Sequence, residues 1–252
     1  MNLVKLDSEL KGCEGSALND WLTGPFHLAL SAGFFGFFAH TGMLTALTEK
    51  GLRPTSCSGS SAGALVSGLY AAGLEPNRIA EILLTVSRDD FWDPGLGFGL
   101  LKGDKFRGLL DRHLPVRTIE ACRIPLALSV YDIRSRSTKV VREGDLSRAI
   151  SASCALPGLF QPVTLDGRVA SDGGIKDRHA LDGAAEEEKI FYHHLASKSP
   201  WRKTNDSGLA LPERDGVVSL ALHGLTRVSP FKLEKGLLAL NQAYKLTSKL
   251  LD

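Results

Sequence analysis

Two glycines flanking a serine, Gly59 and Gly63 around Ser61, constrain the fold of this chain more than any other feature. Glycine has no Cβ, so the backbone can turn sharply around a serine in a strained conformation. Hydrophobic residues then recur with helical spacing from residue 62 to residue 70, and Gly73 follows where a C-terminal capping glycine belongs. This Gly-x-Ser-x-Gly pattern predicts a strand, a turn and a helix, with Ser61 at the helix N-terminus, where amides stabilise negative charge.

An isolated match to this pattern is weak evidence, because the chain has 26 glycines among 252 residues. A glycine-rich turn capped by Ser60 or Ser61 would match equally well. The rest of the sequence therefore has to decide whether Ser61 is a nucleophile.

The composition excludes several classes of protein. At 252 residues and 43% hydrophobic, the chain can form the core of one large α/β domain. A net charge of +2, without a long Lys/Arg run, argues against nucleic-acid binding. The four cysteines include no Cys-x-x-Cys pair, so we expect reduced thiols, no disulfide and no metal site.

The N-terminal half raises the question of a membrane span. The first ten residues include two acidic residues where a signal peptide needs an apolar core. Residues 21–48 contain no Asp, Glu, Lys or Arg, and hydropathy alone would allow a transmembrane helix over residues 26–44. Gly33 and Gly36 favour instead a buried strand over 26–31, a glycine turn and a helix over 37–47. We therefore predict a cytoplasmic protein.

The turn at Gly33 and Gly36 predicts an anion-binding loop. Glycines let several backbone N–H groups point at one anion, as in an oxyanion hole or a phosphate cradle. A dinucleotide site would need Gly-x-Gly-x-x-Gly and an acidic residue on the next strand, and the sequence has neither.

A third turn follows a predicted hairpin. Strands over residues 163–165 and 168–170 flank an Asp-Gly pair, which is a strong hairpin signal. The second strand runs into Asp172, Gly173 and Gly174, so a carboxylate is expected on a tight turn at the strand end. Further strands are predicted over 55–58, 124–130, 137–142, 189–194 and 217–221. Further helices are predicted to begin at Pro76, Leu146, Asp182 and Pro230, and Asp104 is predicted to cap another. The helix after Pro230 is predicted to have Leu233, Leu237, Leu240 and Tyr244 on one face.

Residues 149–174, AISASCALPGLFQPVTLDGRVASDGG, closely resemble the patatin-like phospholipase family. In that family a helix, an ALPGLF-type turn and a hairpin precede Asp-Gly-Gly/Ala. Ser61 matches the family's nucleophile, Asp172 its catalytic aspartate, and residues 31–36 its oxyanion loop, in a resemblance that extends from about residue 26 to residue 181. It implies a three-layer α/β/α fold with a mainly parallel central sheet. We expect one acyl hydrolase domain over residues 1–252, with C-terminal strands and a helix in 182–252.

The resemblance also implies an activity. The chain would be a lipid acyl hydrolase, of the phospholipase A, lysophospholipase or acylglycerol lipase type. Ser61 would attack the ester to form an acyl-enzyme, and Asp172 would act as general base. Backbone amides of Ala32, Gly33 and Phe34 would hold the oxyanion, and no cofactor would be needed.

The chain departs from the family in two places. Members usually have a run of glycines and then a basic residue in the first loop, whereas here Phe35 stands at the basic position. After the aspartate, Asp177, Arg178 and His179 stand where many members have an Asn with a Pro nearby. The first departure puts the reaction rate and the head-group preference in question.

Two other functions fit the sequence. An α/β-hydrolase triad would use Ser61, Asp172 and His223, which follow the required chain order, although only one clear strand precedes the elbow strand. A lipid-binding or scaffolding protein on a decayed hydrolase fold would fit the altered first loop.

Lipid esters are the expected partners, with peripheral contact to a membrane surface. The stretch 89–102 is rich in glycine and apolar side chains, and residues 227–252 carry five Lys/Arg against two Asp/Glu. Together with Trp201, Arg202 and Lys203, these segments combine apolar side chains and attraction for anions.

Overall fold

The computed structural model describes residues 6–14, 17–185, 189–196 and 207–252. The strands in these residues are β1 (Asp7–Lys11), β2 (His27–Leu30), β3 (Ser56–Ser60), β4 (Gly99–Leu101), β5 (Leu126–Asp132), β6 (Ser137–Val141), β7 (Gly158–Phe160), β8 (Val163–Leu165), β9 (Arg168–Asp172), β10 (Ile190–Leu195) and β11 (Val217–His223). The α-helices are α1 (Leu18–Trp21), α2 (Phe37–Glu49), α3 (Ala62–Ala71), α4 (Pro76–Thr85), α5 (Asp104–His113), α6 (Leu146–Ser153) and α7 (Gly236–Leu251).

A sheet of nine strands forms the centre of the fold, in the order β1-β11-β10-β2-β3-β5-β9-β8, with β6 also paired to β5. The run from β11 to β5 is parallel, and β1, β6, β8 and β9 pair antiparallel at its sides. This arrangement confirms the predicted α/β fold with a parallel centre. Parallel strands end at the same edge of a sheet, so the loops after β2, β3 and β10 are brought together there.

The segment over residues 26–44 is divided between β2 and α2, as the glycine turn predicted. Both elements are buried, which accounts for their lack of charged residues. Within the described residues, no helix has the length and apolar character needed to cross a membrane.

The last helix differs from its prediction. Pro230 does not open it, because a short 3-10 turn over Leu233–Lys235 comes first and α7 begins at Gly236. Leu237 is 51% exposed, and the buried face is formed largely by small residues. They allow α7 to approach α2 so closely that a Cβ at Gly42 would lie 2.2 Å from the Leu240 carbonyl oxygen.

Three further differences concern helix starts and an edge strand. Gly103, with φ +87°, occupies the N-cap of α5, so Asp104 is its first helical residue and not its cap. Residues 182–185 form a turn and not the predicted helix, and residues 186–188 lie outside the described part of the chain. Strand β1, unassigned from the sequence, pairs antiparallel with β11.

Candidate active site

Ser61 lies on the predicted sharp turn between β3 and α3, with φ 52° and ψ −116°. A positive φ is costly for a residue with a Cβ, by about 1–3 kcal/mol. The two flanking glycines allow it, since a Cβ at Gly59 would lie 2.3 Å from Ser67 Oγ and one at Gly63 would lie 2.0 Å from the Leu30 carbonyl oxygen. Ser61 is therefore held in a strained conformation between a strand and a helix.

Asp172 is hydrogen-bonded directly to this serine. Ser61 Oγ donates to Asp172 Oδ2 at 2.7 Å, although the two residues are 111 positions apart in the chain. Asp172 ends β9, is 4% exposed, and its Oδ1 accepts a bond from the Gly174 amide at 2.8 Å. A Cβ at Gly173 would lie 2.0 Å from the Ser129 carbonyl oxygen, so this turn requires glycine to pack on β5.

Three consecutive residues at the end of α6 hold the backbones of Ser61 and Asp172 in place. Ser153 Oγ accepts from the Ser61 amide at 2.9 Å, and Cys154 Sγ donates to the Ser61 carbonyl oxygen at 3.2 Å. The Ala155 carbonyl oxygen accepts from the Asp172 amide at 3.0 Å. Burial raises the pKa of the Cys154 thiol well above its ordinary value, so the thiol stays neutral and acts as a donor. These residues lie in the family-like segment 149–174, but no sequence motif predicted a role for them.

Only part of the predicted oxyanion hole is available. The Ala32 amide donates to the Arg178 carbonyl oxygen at 2.8 Å, so it is not available to an oxyanion. The prediction that the Ala32 amide forms part of the oxyanion hole is therefore wrong. The amides of Gly33 and Phe34 have no hydrogen-bond partner among the described residues. Both residues line the same cavity as Ser61.

Leu195, the last residue of β10, packs against the loop that follows β2. Its amide donates to Ser31 Oγ at 2.9 Å, and a Cβ at Gly33 would lie 2.5 Å from its Cδ1 atom. Arg178, 6% exposed, donates from Nη2 to the Leu195 carbonyl oxygen at 3.0 Å. The segment after Asp172 therefore clamps the first loop and places a buried cation beside the cavity.

His223, the histidine considered for a triad, and the buried His40 both have other partners. His223 Nε2 is hydrogen-bonded to Glu9 Oε2 at 3.1 Å near the surface. His40 is fully buried, with Nδ1 2.8 Å from His193 Nδ1 and Nε2 2.9 Å from the Ser31 carbonyl oxygen. Burial lowers the pKa of His40 to about 4. Ser61 Oγ contacts the Asp172 carboxylate directly, and no imidazole of the described residues lies between them.

A cavity of about 2100 Å³ opens at this site. Helices α3, α4 and α5 and the neighbouring loops line its interior with apolar side chains, which are Leu65, Leu69, Ile82, Leu83, Phe91, Phe106, Leu109 and Leu110. Ser61 and Asp172 line the same cavity. Its size and lining suit a long acyl chain.

Asp177, buried near the site, makes the unfolding free energy of the protein depend on pH. It is 7% exposed and its Oδ2 accepts from Ser129 Oγ at 2.6 Å, while the Ser129 carbonyl accepts from Ser153 Oγ at 2.7 Å. Burial raises the pKa of Asp177 from 3.8 to about 6. Because the folded-state pKa lies above the unfolded one, the cost of ionising Asp177 is absent below pH 3.8, grows between these values and is complete above about pH 6.

Asp177→Asn should remove this cost, since an amide does not ionise. The unfolding free energy of the variant relative to that of wild type should rise by ~3 kcal/mol between pH 3.5 and pH 8. Urea unfolding of both proteins at the two pH values measures it. A difference that does not change with pH would contradict the prediction.

Comparison with known proteins gives three findings. The family model for patatin-like phospholipases matches residues 28–185. An uncharacterised NTE family protein of Mycobacterium bovis is 34% identical over 153 residues, which cover 60% of this chain and 42% of that protein. Lysophospholipase NTE1 of Cryptococcus neoformans is 28% identical over 163 residues, 60% of this chain and 10% of that protein. The chain thus matches less than half the length of these relatives.

A solved structure also resembles this fold. The crystal structure of VipD from Legionella pneumophila superposes with a TM-score of 0.65 and 16% identity, covering 100% of this chain and 70% of that one. At this identity the likeness concerns the fold alone. It agrees with the three-layer α/β/α arrangement expected from the sequence.

Proposed function

The chain belongs to the patatin-like phospholipase family, and we propose that it is a lipid acyl hydrolase that cleaves carboxylic esters with Ser61 and Asp172 as a catalytic dyad. The observation on which the proposal rests is the 2.7 Å hydrogen bond from Ser61 Oγ to Asp172 Oδ2 in the wall of a large apolar cavity. We also propose that residues 1–252 form a single acyl hydrolase domain. Strands β10 and β11, beyond the matched region, are part of the same sheet as β2 and β3.

The reaction proceeds in two steps. Ser61 Oγ attacks the ester carbonyl carbon while Asp172 accepts the hydroxyl proton. The tetrahedral intermediate collapses, the C–O bond to the alcohol breaks, and Asp172 returns the proton to the leaving oxygen. A water molecule, deprotonated by Asp172, then attacks the acyl-enzyme. The bond from the acyl carbon to Ser61 Oγ breaks, Asp172 returns the proton to Oγ, and the fatty acid is released.

Fixed backbone dipoles stabilise the negative charge of the tetrahedral intermediate. The Gly33 and Phe34 amides are the donors supplied by the first loop, and α3 directs its N-terminus at the site. An oxyanion hole of this kind contributes about 10²–10³-fold in rate for each donor. Phe35 contributes no charge, and the Arg178 side chain is one of the cations that line the same cavity.

Two alternatives have less support. A Ser-His-Asp triad needs a histidine beside the serine, whereas His223 is bonded to Glu9. A lipid-binding protein without activity would not need a serine oxygen hydrogen-bonded to a buried carboxylate.

Turnover of chromogenic esters tests the proposal. The purified chain should hydrolyse a p-nitrophenyl decanoate faster than the butyrate, because a longer acyl chain buries more apolar surface in the cavity. A fluorophosphonate should form a covalent adduct on the peptide that contains Ser61. Absence of both turnover and adduct would refute the hydrolase and favour a binding role.

An exposed apolar loop supports contact with a lipid surface. Between α4 and α5, Leu96 and Phe98 are 103% and 92% exposed, and Leu100 is about half exposed. The loop is nonetheless anchored, since Gln161 Nε2 donates to the Leu96 carbonyl oxygen at 2.9 Å. Apolar side chains held outward on an anchored loop suit insertion between lipid head groups. The predicted contribution of Trp201–Lys203 lies outside the described residues.

Leu96→Ser/Phe98→Ser should therefore lower the rate on vesicle-bound substrate by at least about tenfold, through lost apolar burial. The rate on a substrate below its micelle concentration should not change. Co-sedimentation with anionic vesicles measures binding directly. The control is Ile133→Ser/Val169→Ser, which alters two exposed apolar residues outside the cavity lining. Equal losses in both variants, or no vesicle binding by wild type at low salt, would contradict the prediction.

A further inference from the structure

Three basic side chains from the connection between β11 and α7 line the cavity. They are Arg227, Lys232 and Lys235, here called the cationic rim. All three are exposed, and none forms a hydrogen bond or ion pair with another residue in the described ranges. Their charges are therefore directed toward solvent and the cavity.

The fold places the cationic rim beside the first loop. Strand β11 is parallel to β10, and β10 is parallel to β2, so the connection after β11 leaves the sheet at the same edge as the loop after β2. Gly236, next to Lys235, packs so closely on Phe38 that a Cβ there would lie 2.5 Å from the ring. Phe38 is the second residue of α2, which directly follows the loop of Gly33 and Phe34.

The charges around the cavity are strongly unbalanced. Among the described lining residues, the one carboxylate is Asp172, and it accepts the bond from Ser61. Glu234 lies between the two rim lysines in sequence but does not line the cavity. An anion at the rim thus meets several cations, whereas an ammonium group would find no acid to pair with there. A neutral acylglycerol would make no use of these charges.

We propose that the cationic rim is a subsite for the phosphate of a net-anionic lipid head group. The acyl chain then occupies the apolar interior, and the ester lies at Ser61. Phosphate suits such a site because arginine and lysine both donate charge-assisted hydrogen bonds to its oxygens. The inference rests on the proposed ester hydrolysis for its catalytic meaning, and it assigns a preference for anionic over zwitterionic or neutral head groups.

The test uses three monomeric substrates with the same decanoyl chain, each below its micelle concentration, so that surface attraction does not contribute. They are lysophosphatidylglycerol, lysophosphatidylcholine and 1-decanoylglycerol. Wild type should have the highest kcat/KM on the anionic lipid. Arg227→Gln/Lys232→Gln/Lys235→Gln should lower kcat/KM on that lipid at least about tenfold, mainly through KM, and leave the neutral ester unchanged.

The matched control is Lys139→Gln/Lys245→Gln/Lys249→Gln, which removes the same charge from exposed positions outside the cavity lining. It should retain the preference, and an equal loss in the control would overturn the subsite. So would a wild type without preference for the anionic lipid.

A binding experiment separates this inference from the proposed function. Uncleavable ether analogues of the three lipids are titrated into Ser61→Ala by calorimetry. Tighter binding of the anionic ether supports the subsite even if wild type hydrolyses no ester, whereas equal dissociation constants overturn it. Inorganic phosphate is titrated in the same way. If it binds as tightly as the anionic ether, the site is one for the free anion, and the lipid assignment is overturned.

Discussion

Ser61→Ala is expected to reduce ester hydrolysis by about 10⁴–10⁶-fold while the protein stays folded. The substitution removes the attacking oxygen and no other heavy atom. Alanine has the same Cβ as serine, so the cost of φ 52° at this turn does not change. The bond from the Gly174 amide to Asp172 Oδ1 also remains. Initial rates on a decanoyl ester, with circular dichroism and a melting curve, measure both parts of the prediction.

The neighbouring serine provides a matched control. Ser60 is fully buried, and its Oγ has no hydrogen-bond partner among the described residues. Ser60→Ala should therefore keep full activity and should not lower stability, because no hydrogen bond is lost. If Ser61→Ala keeps most of the activity, or if the fluorophosphonate adduct maps to a peptide without Ser61, the nucleophile is another residue.

Asp172→Asn should cause the second large loss, about 10³–10⁴-fold or more in kcat. An asparagine still accepts the Gly174 amide bond, but it cannot take the proton from Ser61. Both a dyad and a triad predict this loss, so histidine substitutions have to distinguish them. Under the dyad, His223→Ala keeps kcat/KM within about tenfold, which is ~1.4 kcal/mol of barrier.

The buried His40 requires a folding control, since its removal leaves a cavity and breaks two hydrogen bonds. The activity of His40→Ala is therefore compared with that of wild type at temperatures at which circular dichroism shows the variant to be folded. The pH profile adds an independent check, because an imidazole base gives an acidic limb near its ordinary pKa of about 6.5. One histidine whose removal silences a folded enzyme and abolishes such a limb would refute the dyad.

The sequence predicts well those features that local sterics determine. The turn at Ser61 and the turn after Asp172 both require glycine where another chain segment lies within about 3 Å of a Cβ position. Such constraints are visible as short motifs. The strands and helices between them follow from hydrophobic periodicity, which is why β2, α2, β3 and α3 lie within a few residues of their predicted bounds.

The remaining features depend on distant partners and have no local signal. Strand β1 exists because it pairs with β11 across the length of the chain. The Ala32 amide is removed from the oxyanion hole by a carbonyl 146 positions later, at Arg178. Helix α7 begins not at Pro230 but at Gly236, which packs closely on Phe38 of α2. Sequence patterns predict candidate reactive side chains but not the groups that orient them.

The segment from Ser153 to Ala155 has a consequence for the accuracy of the site. Ser61 follows β3 and Asp172 ends β9, so positional errors would accumulate if each residue were located only through the sheet between them. Instead, Ser61 is hydrogen-bonded to Ser153 and Cys154, and Asp172 to the adjacent Ala155, so one short segment positions both residues. A fluctuation that displaces this segment moves Ser61 and Asp172 together. The 2.7 Å distance between Ser61 Oγ and Asp172 Oδ2 is therefore insensitive to small motions of the surrounding fold.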